Sequence, residues 1–350
     1  MDTFEKRVLN FVQRKKLIPQ QSKVLIALSG GADSVFLFYF LLKIRRMFNA
    51  SVGVAHLNHM LRGAESERDE LFCRELAEEN EIPFYTAHID IHKSAAELQT
   101  GIEEAARIER YAFFSRLMKE HDYTLTATGH HLDDNAETVL LNLFKGAGFH
   151  GMSGIPAQRG EYIRPLLCLK RNDIHASLRN RGLTWIEDST NAENDVERNY
   201  IRNIIIPSAE SKFGTSLADS ISRFSALMNE VRDFADSFTA ETWSEVAEGN
   251  DGERIYKTDK YFTLTGFLRK YALHELLKRE PGGSGHGLTE DIFEKLESKS
   301  TFTYQTSKEA WIYIGRGEIR FFRQRENPDE IESIPVNSAV LYEGRRVRIE

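Results

Sequence analysis

Cysteine is nearly missing from this chain: two in 350 residues, Cys73 and Cys168, with no C-x-x-C pair. That argues against a disulfide framework, a zinc ribbon and a cysteine-held iron–sulfur site. Each thiol then reads as an ordinary buried structural residue. Long apolar runs are missing too. Val35 to Leu42 falls far short of the roughly 20 residues that span a bilayer, and Lys43, Arg45 and Arg46 follow it at once. The opening Met1-Asp2-Thr3-Phe4-Glu5-Lys6-Arg7 has no signal-peptide core, so a cytoplasmic protein with no membrane partner is expected. Positive charge is not in excess. The formal net charge of −7 weighs weakly against nucleic acid as a partner, because phosphate contacts dominate that affinity. Locally the balance differs, with six basic residues against two acids between Arg159 and Gly182. A basic face on an acidic protein therefore stays open. Finally, there is no G-x-x-x-x-G-K-[ST] and no H-E-x-x-H, which removes the Walker A loop and the zincin helix, and the Gly30-Gly31 stretch does not read G-x-G-x-x-G.

What is present is a globular composition, 41% hydrophobic and 28% charged, with length enough for two or three domains. The chain is organised around Val24-Leu25-Ile26-Ala27-Leu28-Ser29-Gly30-Gly31-Ala32-Asp33-Ser34 and the apolar run after it. An apolar run ending at Gly-Gly reads as a buried parallel strand, a tight turn and a helix start. Gly30 and Gly31 can take positive φ and let backbone N–H groups approach a ligand. Asp33 or Ser34 is expected to cap the helix. Backbone donors aimed by the positive end of a helix dipole suit phosphate. The ordinary alternative is a plain Gly-Gly turn.

Around this stretch the chain alternates. An amphipathic helix is expected over residues 4 to 16, with strands at 51–57, 83–89 and 123–128. Helices are expected at 64–80, 102–119 and 133–144. That rhythm predicts an α/β fold with a doubly wound parallel sheet, whose ligands bind beyond the carboxyl ends of the strands. Three strands end in Ser29-Gly30-Gly31, His56-Leu57-Asn58-His59 and Gly129-His130-His131, all on one edge. Further on, helical spacing covers 215–248, 261–278 and 289–298, and strands are expected at 302–304, 311–314 and 320–323. The expected domains are 1–212, a smaller helical or mixed domain at 213–326, and 327–350 as a tail or the start of a further domain.

Three clusters carry candidate chemistry. His56, His59, His130 and His131 lack the accompanying ligands of a zinc site, so hydrogen bonding to nucleotide or substrate is the better reading. Asp133, Asp134 and Glu137 lie three and four apart, which puts carboxylates on one helix face. They can cap the helix, with Asp134 at N-cap and Glu137 at N3, hold Mg²⁺ on a triphosphate, or receive an ammonium group. Glu103-Glu104-Ala105-Ala106-Arg107-Ile108-Glu109-Arg110-Tyr111, taken alone, is an amphipathic helix with ion pairs.

In this order S-G-G-x-D-S, H-x-N-H-x-L-R, E-x-A-A-R-x-x-R-Y, G-H-H-x-D-D-x-x-E-T, W-x-E-D-x-[ST]-N and R-N-x-I-R-N resemble the landmarks of the bacterial tRNA(Ile)-lysidine synthetases, of the PP-loop ATP-pyrophosphatase superfamily. The resemblance is strong from residue 22 to about 207. It implies an ATP-dependent ligase that adenylates C2 of the wobble cytidine in tRNA(Ile) with a CAU anticodon. The ε-amine of L-lysine then displaces AMP. On that reading Ser29, Gly30, Gly31, Ala32, Asp33 and Ser34 hold pyrophosphate, with His56 and His130 against the nucleotide. Asp33, Asp133 and Asp134 are the Mg²⁺ candidates. Asp33, Arg107, Asp134 and Glu137 carry catalysis, with Glu137 serving the lysine ammonium and Arg107 the adenylate charge. Residues 159–181, Arg198 and Arg202 are expected to grip the anticodon stem, and a homodimer is open. A PP-loop tRNA thiolase, another ATP-pyrophosphatase-type synthetase and a non-catalytic nucleotide-binding module are the rivals.

Overall fold

Val24, Leu25 and Ile26 are apolar at consecutive positions, so the strand they form needs cover on both faces. In the computed structural model this strand lies at the centre of the first of two compact units, Met1–Ala226 and Leu227–Glu350. The structure describes residues 1–61, 63–147, 149–187, 197–243, 246–248, 253–280, 286–299, 301–306, 310–323, 339–342 and 345–348.

The first unit begins α1 (Thr3–Arg14), β1 (Lys23–Ala27), α2 (Ala32–Ile44), β2 (Ser51–Asn58), α3 (Ala64–Glu79), β3 (Phe84–His88), α4 (Ile91–Leu98) and α5 (Ile102–His121). It continues with β4 (Leu125–Ala127), α6 (Leu132–Phe144), α7 (Phe149–Met152), β5 (Gln158–Arg159), β6 (Tyr162–Ile163), α8 (Arg171–Asn180), α9 (Glu197–Tyr200) and α10 (Ile206–Phe213). The sheet order is β3-β2-β1-β4-β6-β5. Every pair is parallel except the β5–β6 hairpin.

Strand alternation splits the core into two layers. Val24 and Ile26 join Val35, Phe36, Leu37, Phe38, Phe40 and Leu41 of α2 on one face, with Val8 and Val12 of α1 and Ile174 and Leu178 of α8. Leu25 points the other way, to Phe113, Phe114 and Leu117 of α5. Because α2 is apolar nearly all round, it can only be an inner helix, and α1 and α8 supply its outer cover. Its buried position fixes where the Ser29–Ser34 turn must lie, at the carboxyl edge of the central strand.

The units part inside α11 (Leu217–Thr239), at residues 226 and 227, rather than near 212. Helix was expected to 248, but α11 stops at Thr239. Trp243 turns into the core of the second unit and donates from Nε1 to the Ala272 carbonyl at 2.9 Å. Tertiary packing outweighs helical spacing there, and β7 (Val246–Glu248) follows. After β8 (Arg254–Lys257), the helix expected over 261–278 is two, α12 (Asp259–Thr263) and α13 (Gly266–Arg279). Leu264 and Thr265 are extended between them, with Thr265 at the N-cap. Then come α14 (His286–Glu297), β9 (Phe302–Gln305), β10 (Ala310–Gly315), β11 (Glu318–Arg323), β12 (Ala339–Tyr342) and β13 (Arg345–Arg348). Strands β7 to β11 form an antiparallel sheet in the order β7-β8-β11-β10-β9. It buries Ile312, Ile314 and Ile319 against Leu273, Leu276 and Leu277 of α13. Residues 327–338, 343–344 and 349–350 of the expected tail lie outside the described residues, as do Arg62 and Asp188-Ser189-Thr190-Asn191. Among the described residues no helix is long and apolar enough to cross a membrane.

Candidate active site

The turn after β1 is closed by its own serines. Ser34 Oγ donates to the Gly31 carbonyl at 2.9 Å and accepts from the Ser29 N–H at 3.2 Å. Gly31, not Asp33 or Ser34, is the N-cap of α2, and no side chain caps that end. The helix begins two or three residues earlier than expected, which moves Asp33 into its first turn. An uncapped N-terminus keeps backbone donors for a ligand and favours an anion through its dipole. Gly30 has φ +90°, and a Cβ there would lie 2.5 Å from Ile186 Cδ1. Ile186 in turn donates its N–H to the Gly30 carbonyl at 2.9 Å, so the Trp185-Ile186 segment lies over the turn. A flexible methyl can move aside, so the backbone conformation decides the cost of a side chain. Gly30→Ala is expected to lose about 1–2 kcal/mol of stability, seen as a lower urea midpoint, together with weaker ATP binding by calorimetry. Adding Ile186→Val should restore neither.

Gly129 brings the second strand end against this turn. A Cβ at Gly129 would stand 3.2 Å from the backbone of Asp33 and Ser34, which cannot yield as a methyl can. The next residues then meet the loop. His131 is buried and is the true N-cap of α6; its Nδ1 accepts from Asp134 N at 3.3 Å, while Asp134 Oδ2 accepts from His131 N at 2.9 Å. The capping box expected at Asp134 and Glu137 is thus one turn earlier, at His131 and Asp134. His131 Nε2 also lies 3.6 Å from Asp33 Oδ2, and Nδ1 3.5 Å from Asp133 Oδ2. This histidine, the link between turn and helix, was visible only as one of a pair; its central place follows from the β4 exit.

Charge is distributed unevenly over the aspartates. Burial pushes the Asp33 carboxyl up, opposed by His131 and reinforced by Asp134. Burial works to raise Asp134 as well, yet His131 and Arg198 prevail and hold it below the usual carboxylate range. Asp33 Oδ1 is buried with no hydrogen-bond partner among the described residues. Asp133 Oδ2 instead accepts the Arg171 N–H at 2.7 Å and so anchors α8. Both oxygens of Asp134 have partners, His131 N on one and Arg198 and Arg202 on the other, at 3.3 and 3.5 Å. Among the described residues no three histidine, cysteine or acidic side chains converge as a metal cluster. Of the three aspartates expected to hold Mg²⁺, Asp33 has a buried oxygen with no partner among the described residues, which suits an ion whose shell phosphate oxygens would complete.

Glu137 differs most from expectation. It is 1% exposed, and both oxygens are taken: Arg202 Nε at 2.6 Å on one, Arg198 Nε at 2.8 Å and Arg202 Nη2 at 2.9 Å on the other. The two arginines expected on the anticodon stem therefore serve this carboxylate. They sit four apart on a helical rod whose middle, Ile201–Ile205, is a π-helix, with Ile206 N–H donating to the Ile201 carbonyl. Pro207 cannot donate to the residue four before it, which accounts for the widened turn. The R-N-x-I-R-N spacing was the available signal for this pairing.

The other expected residues stand further out. His56 Nδ1 lies 2.9 Å from the Leu28 carbonyl, tying β2 to the start of the turn, and burial lowers its pKa. His130 hydrogen-bonds through Nδ1 with Thr128 Oγ1 at 2.9 Å; burial, opposed by Asp134 and aided by Arg164, Arg198 and Arg110, brings its pKa to about 4. Arg107 is exposed on α5, 3.3 Å from Glu104 and 5.4 Å above the Tyr111 ring. No described contact brings it to Asp33. The basic run from 159 is divided as well: Lys170 pairs with Asp219 at 2.6 Å and Arg181 with buried Glu5 at 3.2 Å.

A glycine turn on the uncapped helix of a central parallel strand, with a buried acidic and basic network at the same edge, defines a PP-loop domain, and the PP-loop domain family model matches residues 1–209. The solved U34-tRNA thiolase NcsA from Methanococcus maripaludis, with its [4Fe-4S] cluster, shares the fold at TM-score 0.53 and 19% identity, over 65% of this chain and 78% of that one. The similarity to one group of curated relatives runs further. A tRNA(Ile)-lysidine synthase of Chlorobaculum tepidum is 36% identical over 332 residues, 94% of this chain and 99% of the relative. One from Parabacteroides distasonis is 41% identical over 89% of this chain and 74% of its own length. The chain belongs to the tRNA(Ile)-lysidine synthase family.

Proposed function

We propose that this protein ligates L-lysine to C2 of the wobble cytidine of tRNA(Ile) with a CAU anticodon, in the cytoplasm, at the expense of ATP. The C2 oxygen attacks the α-phosphorus and pyrophosphate leaves; the lysine ε-amine then bonds to C2, and AMP departs with that oxygen. The observation that carries the ATP half is the uncapped α2 with the unpartnered Asp33 oxygen at its first turn. The substrates are inferred from the similarity to relatives over nearly the whole chain.

Each residue contributes charge or position. The turn from Ser29 to Ser34 receives the departing pyrophosphate on donors fixed before the reaction, the arrangement that stabilises developing charge most cheaply. Asp33 would hold Mg²⁺, which would supply charge neutralisation on the phosphates. Asp134 holds His131, and His131 holds the first turn of α6 beside the loop. His130, neutral at physiological pH, offers a ring nitrogen to the substrate without adding charge. Arg198 and Arg202, fixed by Glu137, place two positive charges beside Asp134. Glu137 acts through them.

The thiolase reading is weaker on chemical grounds. Cys73 is fully buried with its pKa raised by desolvation, and burial takes Cys168 up to about 11. Neither is poised as a sulfur carrier. The deciding assay is AMP release from ATP with unmodified tRNA(Ile) transcript, with and without lysine. AMP should accumulate stoichiometrically with lysine incorporation. Turnover that needs a sulfur donor or ammonia and ignores lysine would remove this reading.

A further inference from the structure

Four arginines gather where the ATP chemistry does not use them. Tyr111 of α5 and Tyr162 of β6 pack edge to face with centroids 4.7 Å apart, and Tyr162 Oη lies 3.2 Å from Ser115 Oγ. Arg107 lies over Tyr111 at 5.4 Å. Arg159 is paired across the hairpin with Tyr162, and Arg164 follows two residues after it. Arg110, one turn of α5 from Arg107, has Nη2 3.4 Å from His59 Nε2.

Among the described residues the acids facing this group are on α5, Glu103 toward Arg110 and Glu104 beside Arg107. Among the described residues Arg107 pairs with exposed Glu104, a contact that solvent weakens. Arg164 is 6% exposed, donates from Nη1 to the Pro156 carbonyl at 2.9 Å, and leaves Nε without a partner among the described residues. Burial lowers its pKa, Tyr111 opposes this, and the charges of Arg159 and Arg107 push the same way as burial. Like charges close enough to repel, with a buried member lacking a carboxylate, are costly in the free protein. A polyanion that lies along them removes the cost. The group also borders the site, since Thr128 N–H donates to the Ile163 carbonyl and Thr128 holds His130.

We propose that Arg107, Arg110, Arg159 and Arg164, around the Tyr111–Tyr162 pair, form a single-stranded RNA backbone patch that holds the phosphates beside the nucleotide presented to the PP-loop. Guanidinium groups take phosphates, and an aromatic pair between them suits an unstacked base. The inference rests on the tRNA substrate proposed above.

Arg110 and Arg159 are exposed, so the Arg110→Gln/Arg159→Gln variant tests the patch without disturbing the core. Affinity for the unmodified tRNA transcript would be measured from 50 to 300 mM salt. Loss of two phosphate contacts should reduce the slope of log affinity against log salt by about 1.4, with affinity at low salt down on the order of tenfold. Arg159→Lys should keep most of the slope, since lysine also binds phosphate. If the unaltered protein binds the transcript and the double variant keeps its slope, the patch is wrong while the tRNA reading stands. If the double variant loses ATP affinity instead, the arginines serve the triphosphate and the proposal fails. If the unaltered protein shows no affinity for the transcript, both readings fall.

Discussion

Asp33→Asn should abolish AMP formation, by on the order of a thousandfold or more, and leave the protein more stable at pH 7 than its parent. The two effects have one cause. The carboxylate is held in the first turn of α2 with a buried oxygen that nothing in the described protein satisfies. Burial raises its pKa above that of an unfolded chain, so folding favours the protonated form. At pH values above the folded pKa the charge therefore costs stability; as pH falls through that value the cost disappears. An amide of the same shape never incurs it. Activity depends on that charge if Asp33 anchors Mg²⁺ on the phosphates, and a stability–activity trade-off results. Thermal melts at pH 7 and at pH 4, beside AMP release at pH 7, check both parts. The variant's advantage in Tm should shrink toward the acid end. A fully active Asp33→Asn protein would remove the residue from the reaction, and a less stable one would show that the carboxylate has a partner.

Strand β1, the turn and α2 were legible because each rests on local chemistry: an apolar triplet, two glycines, then an apolar helix. The parallel order followed from strand–helix alternation, and with it the edge that carries Gly30, His56 and His130. What the sequence concealed was which side chains meet. His131 and His130 are neighbours in the chain, but the exit from β4 turns one into the helix cap beside Asp33 and ties the other to Thr128. Glu137 and Arg202 are 65 residues apart, and their meeting depends on a π-helix that Pro207 imposes. Arg107 and Arg110 stood in a motif of their own, and only the β5–β6 hairpin, too short to carry a periodic signal, brings Arg159 and Arg164 to them. In the second unit, Trp243 ended a helix that its own residues would have continued, because its indole has a better place in a distant core.

Glu137→Gln is expected to slow adenylate formation on the order of a hundredfold and to cost about 3 kcal/mol of stability. The family resemblance implies this residue as a partner for the ε-ammonium of lysine, and the variant would then adenylate normally while demanding more lysine. The geometry argues otherwise. Both oxygens of Glu137 already accept from guanidinium groups, at 2.6 to 2.9 Å, in a position 1% exposed. An incoming ammonium would have to displace an arginine from a buried ion pair. When the charge at Glu137 is removed, Arg198 and Arg202 still contact Asp134. They should then close on that carboxylate, loosen its hold on His131, and shift the positive field beside the phosphates. Adenylation should suffer first. Two further measurements separate this from simple destabilisation. Glu137→Gln/Arg202→Gln removes one guanidinium together with the carboxylate charge, so it should recover part of the adenylation rate, and the two changes should be strongly non-additive. Single-turnover traces with saturating lysine should show the defect in adenylate formation and not in its decay. Normal adenylate formation followed by slow, lysine-dependent decay in a folded Glu137→Gln protein would return this residue to the amine and leave the arginines to the RNA.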